Sequence, residues 1–260
     1  MITRHHVALS IICTLILCST LVPADPVLIT VICAGACTGA ILPDIQMKRP
    51  QGFQIRTLAW MVTRFSRFVF IPLICRAYGA IPGYISQPGD KRLTHSVPGV
   101  ISLGAVVAGF LFIPAFFLNG SVSWMFPTGF LCGVMLGMVM HLLEDLCTRK
   151  GITPFYPFSN ARVSGSIRPC DTTDRRIAQF HFYDCSVACI ILGFDFLGTW
   201  HGVASVPICV FALASCLGMM IWSSDVRISR EPDGDQLTEN PQPIRPEVTV
   251  VPENPDRFSS

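Results

Sequence analysis

Histidine and aspartate residues recur at the ends of apolar segments of this chain, where ionisable side chains are costly and usually functional. The strongest pair is His141 and Asp145, in the sequence His-Leu-Leu-Glu-Asp. Positions four apart lie on one face of a helix, so both side chains can reach one ion. A nitrogen ligand beside a carboxylate suits Zn²⁺, Mn²⁺ or Fe²⁺. The spacing therefore indicates a site for a divalent metal ion.

Three other apolar segments carry similar residues. His6 stands at the start of the first segment, Asp44 follows the second, and His95 precedes the third. We prefer His6 to its neighbour His5 because it is nearer the apolar segment. Each residue alone has an ordinary explanation, such as a packing histidine, a helix-terminal carboxylate or a helix cap. A metal site is favoured because four segments bring such groups to the same end.

The composition explains why these segments must cross a membrane. Hydrophobic residues make up 51% of the 260 positions and charged residues only 14%, with a mean hydropathy of +0.52. A soluble domain carries about 25% charged residues. Stretches of about 17–25 apolar residues span a bilayer as helices. We therefore expect an all-α, polytopic bundle in residues 1–222, with six spans near 7–22, 26–42, 97–118, 127–146, 180–199 and 203–222.

The basic residues predict the topology. All 15 Lys and Arg of residues 1–222 precede the first segment, or lie between the second and third or between the fourth and fifth. The positive-inside rule then places both termini in the cytoplasm, in a multi-pass protein of the cell membrane. Residues 1–26 also resemble a cleavable signal peptide, but the charge pattern favours their retention.

Other segments give simpler expectations. Residues 58–78 alternate aromatic residues with arginines, which is typical either of an interfacial helix or of an anchoring loop. Residues 223–260 are acidic and rich in proline, so we expect a disordered tail. Most of the 12 cysteines lie in apolar segments, where they act as small apolar residues rather than as a disulfide framework.

Three sequence blocks together resemble the YdjM-type family of membrane-bound, metal-dependent hydrolases. Residues 41–46 are similar to the family's L-P-D-I-D, and residues 90–96 to H-R-G-x-T-H-S. Residues 137–151 are similar to G-x-x-x-H-x-x-x-D-x-x-T-x-x-G. The chain departs from the pattern at Gln46 and Asp90, where the family has Asp and His. The resemblance supports metal ligation by five residues, His6, Asp44, His95, His141 and Asp145.

The resulting expectation is a metal-dependent hydrolase with a cytoplasmic-side site, in which metal-activated water is the nucleophile. Zinc is the first choice of metal, with manganese or iron as alternatives. Glu144 and Asp90 are the candidate general bases. Three basic residues on the same face, Arg149, Lys150 and Arg162, could bind an anionic phosphoester or a lipid-linked substrate, or could simply anchor the topology.

Two other functions stay open. A transporter or channel could use the same polar cluster together with Asp195, the deeper carboxylate of the fifth segment. A membrane scaffold could recruit a partner through its basic loops or its tail. The expected partners are membrane lipids and a small-molecule or lipid substrate. The sequence contains no motif for nucleic-acid binding.

Overall fold

Long α-helices make up most of the computed structural model, which describes residues 3–21, 25–46, 91–117, 124–171, 173–197 and 205–230 and five isolated positions at 68, 72, 75, 76 and 79. The helices are α1 (Thr3–Leu21), α2 (Pro26–Ile41), α3 (Val97–Phe117), α4 (Met125–Leu146), α5 (Arg176–Phe196) and α6 (Ser205–Ser223). Their bounds lie within four residues of the predicted segments. The predicted all-α membrane class is confirmed.

Four of these helices are long and apolar enough to cross a membrane, over Pro26–Asp44, Met125–Leu146, Arg176–Phe196 and Val206–Ser223. The apolar parts of α1 and α3 are shorter, at Thr3–Ser19 and Val97–Ile113. Local signals define where the helices start. Asp25 accepts hydrogen bonds from the backbone amides of Val27 and Leu28, and Pro26 occupies the first turn of α2.

The closest helix pair is α2 and α4, which meet at glycines. A Cβ atom built on Gly39 would overlap the carbonyl oxygen of Val134, and one on Gly137 would overlap that of Ala36. Gly35 and Gly133 repeat this relationship one turn away. Both helices thus carry the G-x-x-x-G spacing, which lets backbones approach closely in membranes. This spacing was a signal for helix packing already present in the sequence.

Helix α1 packs against α2, α4, α5 and α6. Its buried face carries large apolar residues such as Leu9 and Ile16 together with small polar ones such as Ser10 and Thr14. Hence α1 is an integral part of the bundle in this structure, and its retention in the mature protein stays a prediction.

Several contacts hold the connections together at one end of the bundle. The Thr94 hydroxyl donates to the carbonyl of Pro43 at 2.8 Å, and the amide of Val97 donates to the carbonyl of Pro154 at 2.7 Å. Two short antiparallel strands, β1 (Ala161–Ser164) and β2 (Arg227–Arg230), join the link before α5 to the segment after α6. The basic connections therefore share one end, as the charge pattern predicted.

Strand β2 corrects one predicted boundary. It lies within residues 223–260, which the composition assigned wholly to a disordered tail, but its backbone pairs with β1. The first compact unit of the chain therefore runs to Arg230, beyond the predicted boundary at residue 222. The short polar sequence of β2 gives no strand signal, because its partner is more than sixty residues away along the chain.

Some predictions lie outside the described residues. These include most of the interfacial segment 58–78, Asp90, His201 and the rest of the tail, and the side chain of Gln46 is likewise not described. All twelve cysteines are described, and each has a free thiol in this structure.

Replacing Gly133 by alanine should destabilise the bundle. Its new Cβ would overlap the carbonyl oxygen of Ile32 and lie 2.9 Å from the amide nitrogen of Ala36, both on backbone that cannot rotate away. Overpacking of this kind costs about 1–3 kcal/mol. Thermal unfolding of the detergent-solubilised protein should show a lowered Tm.

Gly193→Ala is the matched control, because a Cβ there meets no atom within 4 Å. It should leave the Tm unchanged or slightly raised, since alanine favours helices over glycine. Equal Tm values for the two variants would contradict the importance of the α2–α4 contact.

Candidate metal centre

Four elements deliver the candidate ligands to one end of the bundle. His6 lies in the first turns of α1, and Asp44 lies in the 3₁₀ turn Leu42–Gln46 that follows α2. His95 stands between the 3₁₀ turn Lys91–Leu93 and α3. His141 and Asp145 lie in the last turns of α4. Because successive helices run in opposite directions, the N-terminal ends of α1 and α3 lie at the same end of the bundle as the C-terminal ends of α2 and α4.

Four of these residues place one donor atom each around a common point. His95 Nε2 lies 3.4 Å from His141 Nε2, 3.3 Å from Asp44 Oδ1 and 3.5 Å from Asp145 Oδ2. His141 Nε2 lies 3.9 Å from Asp44 Oδ1 and 3.6 Å from Asp145 Oδ2. Donors at the corners of a tetrahedron about 2.0–2.1 Å from zinc are roughly 3.3–3.4 Å apart. These five separations are close to those expected between ligands of one metal ion, and the His95, His141 and Asp145 atoms form one compact group.

Backbone carbonyls fix the orientation of both imidazole rings. His141 Nδ1 donates to the carbonyl of Ala40 at 2.7 Å, and His95 Nδ1 donates to that of Lys91 at 3.1 Å. A carbonyl can only accept, so each Nδ1 carries the proton and each Nε2 presents a lone pair to the cluster. Such outer hydrogen bonds are the usual support of metal-ligating histidines.

The turn that carries His95 is itself anchored. The Thr94 hydroxyl lies 3.1 Å from His95 Nδ1 and bonds to the carbonyl of Pro43, which links this turn to the one that carries Asp44. Leu93 is buried in the apolar cluster around Met138 and Leu142. These contacts hold His95 against α4.

The electrostatics of the cluster require a cation. His141 is fully buried, and the side chains of His95, Asp44 and Asp145 are only 8%, 5% and 15% exposed. Two imidazole lone pairs and two carboxylates would repel one another if nothing positive lay between them. A bound metal ion satisfies all four atoms, and protonated imidazoles are the alternative.

The ordinary explanations of single residues fit less well. Ser96, rather than His95, caps α3, since its hydroxyl accepts from the amide of Gly99 at 3.2 Å. Arg149 is exposed and its amide bonds to the carbonyl of Ile167, while Asp145 lies beside three histidines. The histidine that joins the cluster is His6, whereas His5 stacks on His181, with 5.3 Å between ring centroids.

A second group of buried polar atoms adjoins the cluster. His6 Nδ1 lies 3.1 Å from Glu144 Oε2, and His6 Nε2 lies 3.6 Å from Asp145 Oδ1. The His6 ring stacks on that of His141, with 3.8 Å between centroids and 19° between planes. His6 and Glu144 are fully buried, yet neither side chain meets the geometry of a hydrogen bond within the described part of the chain.

The predicted substrate residues lie in the link between α4 and α5. Arg149 and Lys150 are exposed, and the guanidinium of Arg162 donates to the carbonyl of Lys150. Their role in substrate binding stays a prediction. So does a catalytic role for Asp90, which lies outside the described residues.

One buried carboxylate was missed by the sequence reasoning. Asp184, in α5, is fully buried, and its oxygens have no hydrogen-bond partner among the described residues. Asp195, which the transport alternative singled out, is partly exposed near the end of the same helix. An aspartate eight residues inside an apolar helix was the available signal.

Comparison with known proteins adds one finding. The family model described as YdjM inner membrane protein matches residues 1–224, which include every ligand candidate and all six helices. The chain matches no curated protein and no solved structure.

Removing one ligand should remove the bound metal. We expect purified native protein to contain a divalent ion, and both His141→Ala and Asp145→Ala to lose it, because each deletes one of the four converging donors. Metal content measured by mass spectrometry checks this, with unfolding temperature and size-exclusion profile as tests of folding.

His5→Ala is the control, since His5 lies beside His6 but contacts His181 instead of the cluster. It should keep the metal. A native protein free of metal after dialysis against Zn²⁺ and Mn²⁺ would contradict the assignment of this cluster as a metal centre.

Proposed function

Because the chain belongs to the YdjM family of inner membrane proteins, we propose that it is a membrane-bound, metal-dependent hydrolase. The observation that carries the proposal is the convergence of two imidazole nitrogens and two carboxylate oxygens at separations of 3.3–3.9 Å. Zinc fits this donor set best, because histidine nitrogens and aspartate oxygens are both zinc ligands, and expansion to five ligands would admit a water beside the four donors.

The chemistry of a metal at this position suits hydrolysis. A divalent ion held by these residues would supply Lewis acidity and would lower the pKa of a bound water toward about 7. The protein itself supplies the fixed geometry. Ala40 and Lys91 orient the imidazoles through their carbonyls, and the apolar surroundings of Met138 and Leu142 limit access of bulk water.

A general base is needed to take the proton of the attacking water. Asp90 and Glu144 are the two proposed candidates. Glu144 is the less suited of the two, because it is fully buried and contacts His6 rather than the four-donor set. Asp90 is adjacent in sequence to the 3₁₀ turn Lys91–Leu93, which is followed closely by His95.

The proposed substrate is anionic, either a phosphoester or a lipid-linked compound. Arg149 and Lys150 directly follow α4, which carries His141 and Asp145, and their side chains are exposed. Arg162 is tied to this link through the carbonyl of Lys150. Guanidinium groups at this end could bind a phosphate oxygen while the scissile bond lies near the metal.

The site is proposed to face the cytoplasm. The contacts that join the connections put the basic residues and the candidate metal centre at the same end of the bundle. Basic residues are retained on the cytoplasmic side. A cytoplasmic substrate or the headgroup of an inner-leaflet lipid would then reach the site.

Hydrolysis should depend on the metal ligands. With a panel of phosphoesters and lipid phosphates, His141→Ala should lower kcat/KM by at least about 100-fold, since even residues that only hydrogen-bond to a metal ligand are worth about 10–100-fold. His5→Ala should retain activity. Rates should be measured on protein whose folding has been checked by thermal unfolding.

Retained hydrolysis in folded His141→Ala would contradict the proposal. Ion or solute flux in liposomes without hydrolysis by the native protein would instead favour transport. The buried, unpartnered carboxylate of Asp184 is the observation that keeps transport as the second candidate.

The membrane orientation can be tested with a native cysteine. Cys170 is exposed in the connection between β1 and α5, at the basic end of the bundle. A membrane-impermeant maleimide should label it in inverted vesicles and leave it unlabelled in intact cells. Cys170→Ser should remove most of that labelling, because Cys132, Cys185 and Cys189, although exposed, lie within apolar helices. Labelling of Cys170 in intact cells would place the site outside the cytoplasm.

A further inference from the structure

His6 is a fully buried histidine that is not one of the four donor residues of the candidate metal centre. Both ring nitrogens lack a hydrogen-bond partner within the described residues, and so do both oxygens of the neighbouring Glu144. Leaving a buried polar atom unsatisfied costs about 1–3 kcal/mol, and more if it is charged. His6 Nδ1 and Glu144 Oε2 lie 3.1 Å apart and can satisfy each other, which leaves His6 Nε2 as the ring nitrogen that needs a further partner.

The ring stack shows that His6 is poorly placed to share an ion with His141. An imidazole nitrogen binds a metal along its lone pair, which lies in the plane of the ring. The two rings are nearly parallel, with 19° between planes and 3.8 Å between centroids. An ion in the plane of one ring therefore lies far out of the plane of the other. The stack instead offers two coordination points about as far apart as the ions of two-metal sites, which are about 3.5–4 Å apart.

Asp145 connects the two points. Its Oδ2 atom lies 3.6 Å from His141 Nε2, and its Oδ1 atom lies 3.6 Å from His6 Nε2. Each oxygen thus faces a different ring, as in a carboxylate that bridges two ions. Asp44 also has a donor atom within 4.8 Å of donor atoms of His6 and His141. Asp145 and Asp44 therefore both lie near enough to supply oxygen ligands at the two coordination points.

We propose that the site binds a second divalent metal ion, held by His6 Nε2 and Asp145 Oδ1 with Asp44 beside them. The inference rests on the proposed function, because it extends the same metal centre. Of the two proposed substrate types it favours phosphoesters, since paired ions can stabilise the attacking and leaving oxygens of an in-line displacement at phosphorus.

Glu144 then has a positioning role rather than that of a general base. Its Oε2 atom lies 3.1 Å from His6 Nδ1, on the ring nitrogen that does not face Asp145. A carboxylate behind a ligating histidine fixes the ring and raises its basicity. Asp90 remains the proposed base.

Metal stoichiometry tests the second position directly. Native protein loaded with Zn²⁺ should hold two ions per chain, and His6→Ala should hold one. His5→Ala, at the adjacent position, should hold two. His6→Gln is a second variant in case alanine leaves a disruptive cavity.

Electron paramagnetic resonance of the native protein needs no variant. Protein loaded with Mn²⁺ should show the exchange-coupled multiline signal of a close manganese pair, rather than the six-line signal of isolated Mn²⁺. Glu144→Gln should weaken the second ion about 10–100-fold and leave the first unchanged, as expected of a residue that orients a ligand. Unchanged affinity for both ions would overturn the role given to Glu144.

The outcomes separate this inference from the proposed function. One ion in native protein, with a six-line manganese signal, would overturn the second position while the hydrolase proposal stands. One ion that His6→Ala abolishes would show His6 to be a ligand of a single ion, and would also overturn it. No ion in native protein would end both proposals.

Discussion

The close approach of α2 to α4 is the constraint on which the rest of the structure depends. Where the glycines of the two helices meet, backbone atoms lie at van der Waals distance, with no side chain between them. The same approach continues to the end of the pair, where the carbonyl of Ala40 reaches the ring of His141. A wider spacing would remove this hydrogen bond and draw Asp44 away from both histidines. Helix packing and ligand orientation are thus consequences of one backbone contact.

Charge compensation is the second constraint, and it acts on the same atoms. In a low-dielectric bundle, carboxylates remain ionised only beside cations or donors. The three carboxylates of the candidate metal centre, Asp44, Glu144 and Asp145, are placed beside histidines. Imidazoles can yield their lone pairs to a metal, whereas an arginine would neutralise the carboxylates permanently. The choice of partner keeps the site able to bind and release a cation.

The sequence was sufficient for features that depend on local composition. Segment length and hydropathy predicted the six helices, and the positions of arginine and lysine predicted which connections share an end. The spacing of His141 and Asp145 predicted that both would face one point. Features that depend on distant contacts had no local signal. The stacking of His6 on His141, the hydrogen bond from His141 to Ala40 and the pairing of β1 with β2 each join parts of the chain that only the folded bundle brings together.

The contribution of α1 to the centre has a consequence for the order of biogenesis. His6 is synthesised 139 residues before Asp145, an interval of roughly 7–28 s at a translation rate of about 5–20 residues per second. During that interval, α1 must remain at the membrane with its polar face unmatched, since α4 has not yet been made. Its short apolar stretch and its serine and threonine residues suit a helix that stays near the insertion machinery until its partners arrive. Helix α1 is made before α4, α5 and α6, and therefore reaches its final contacts only after they have been inserted.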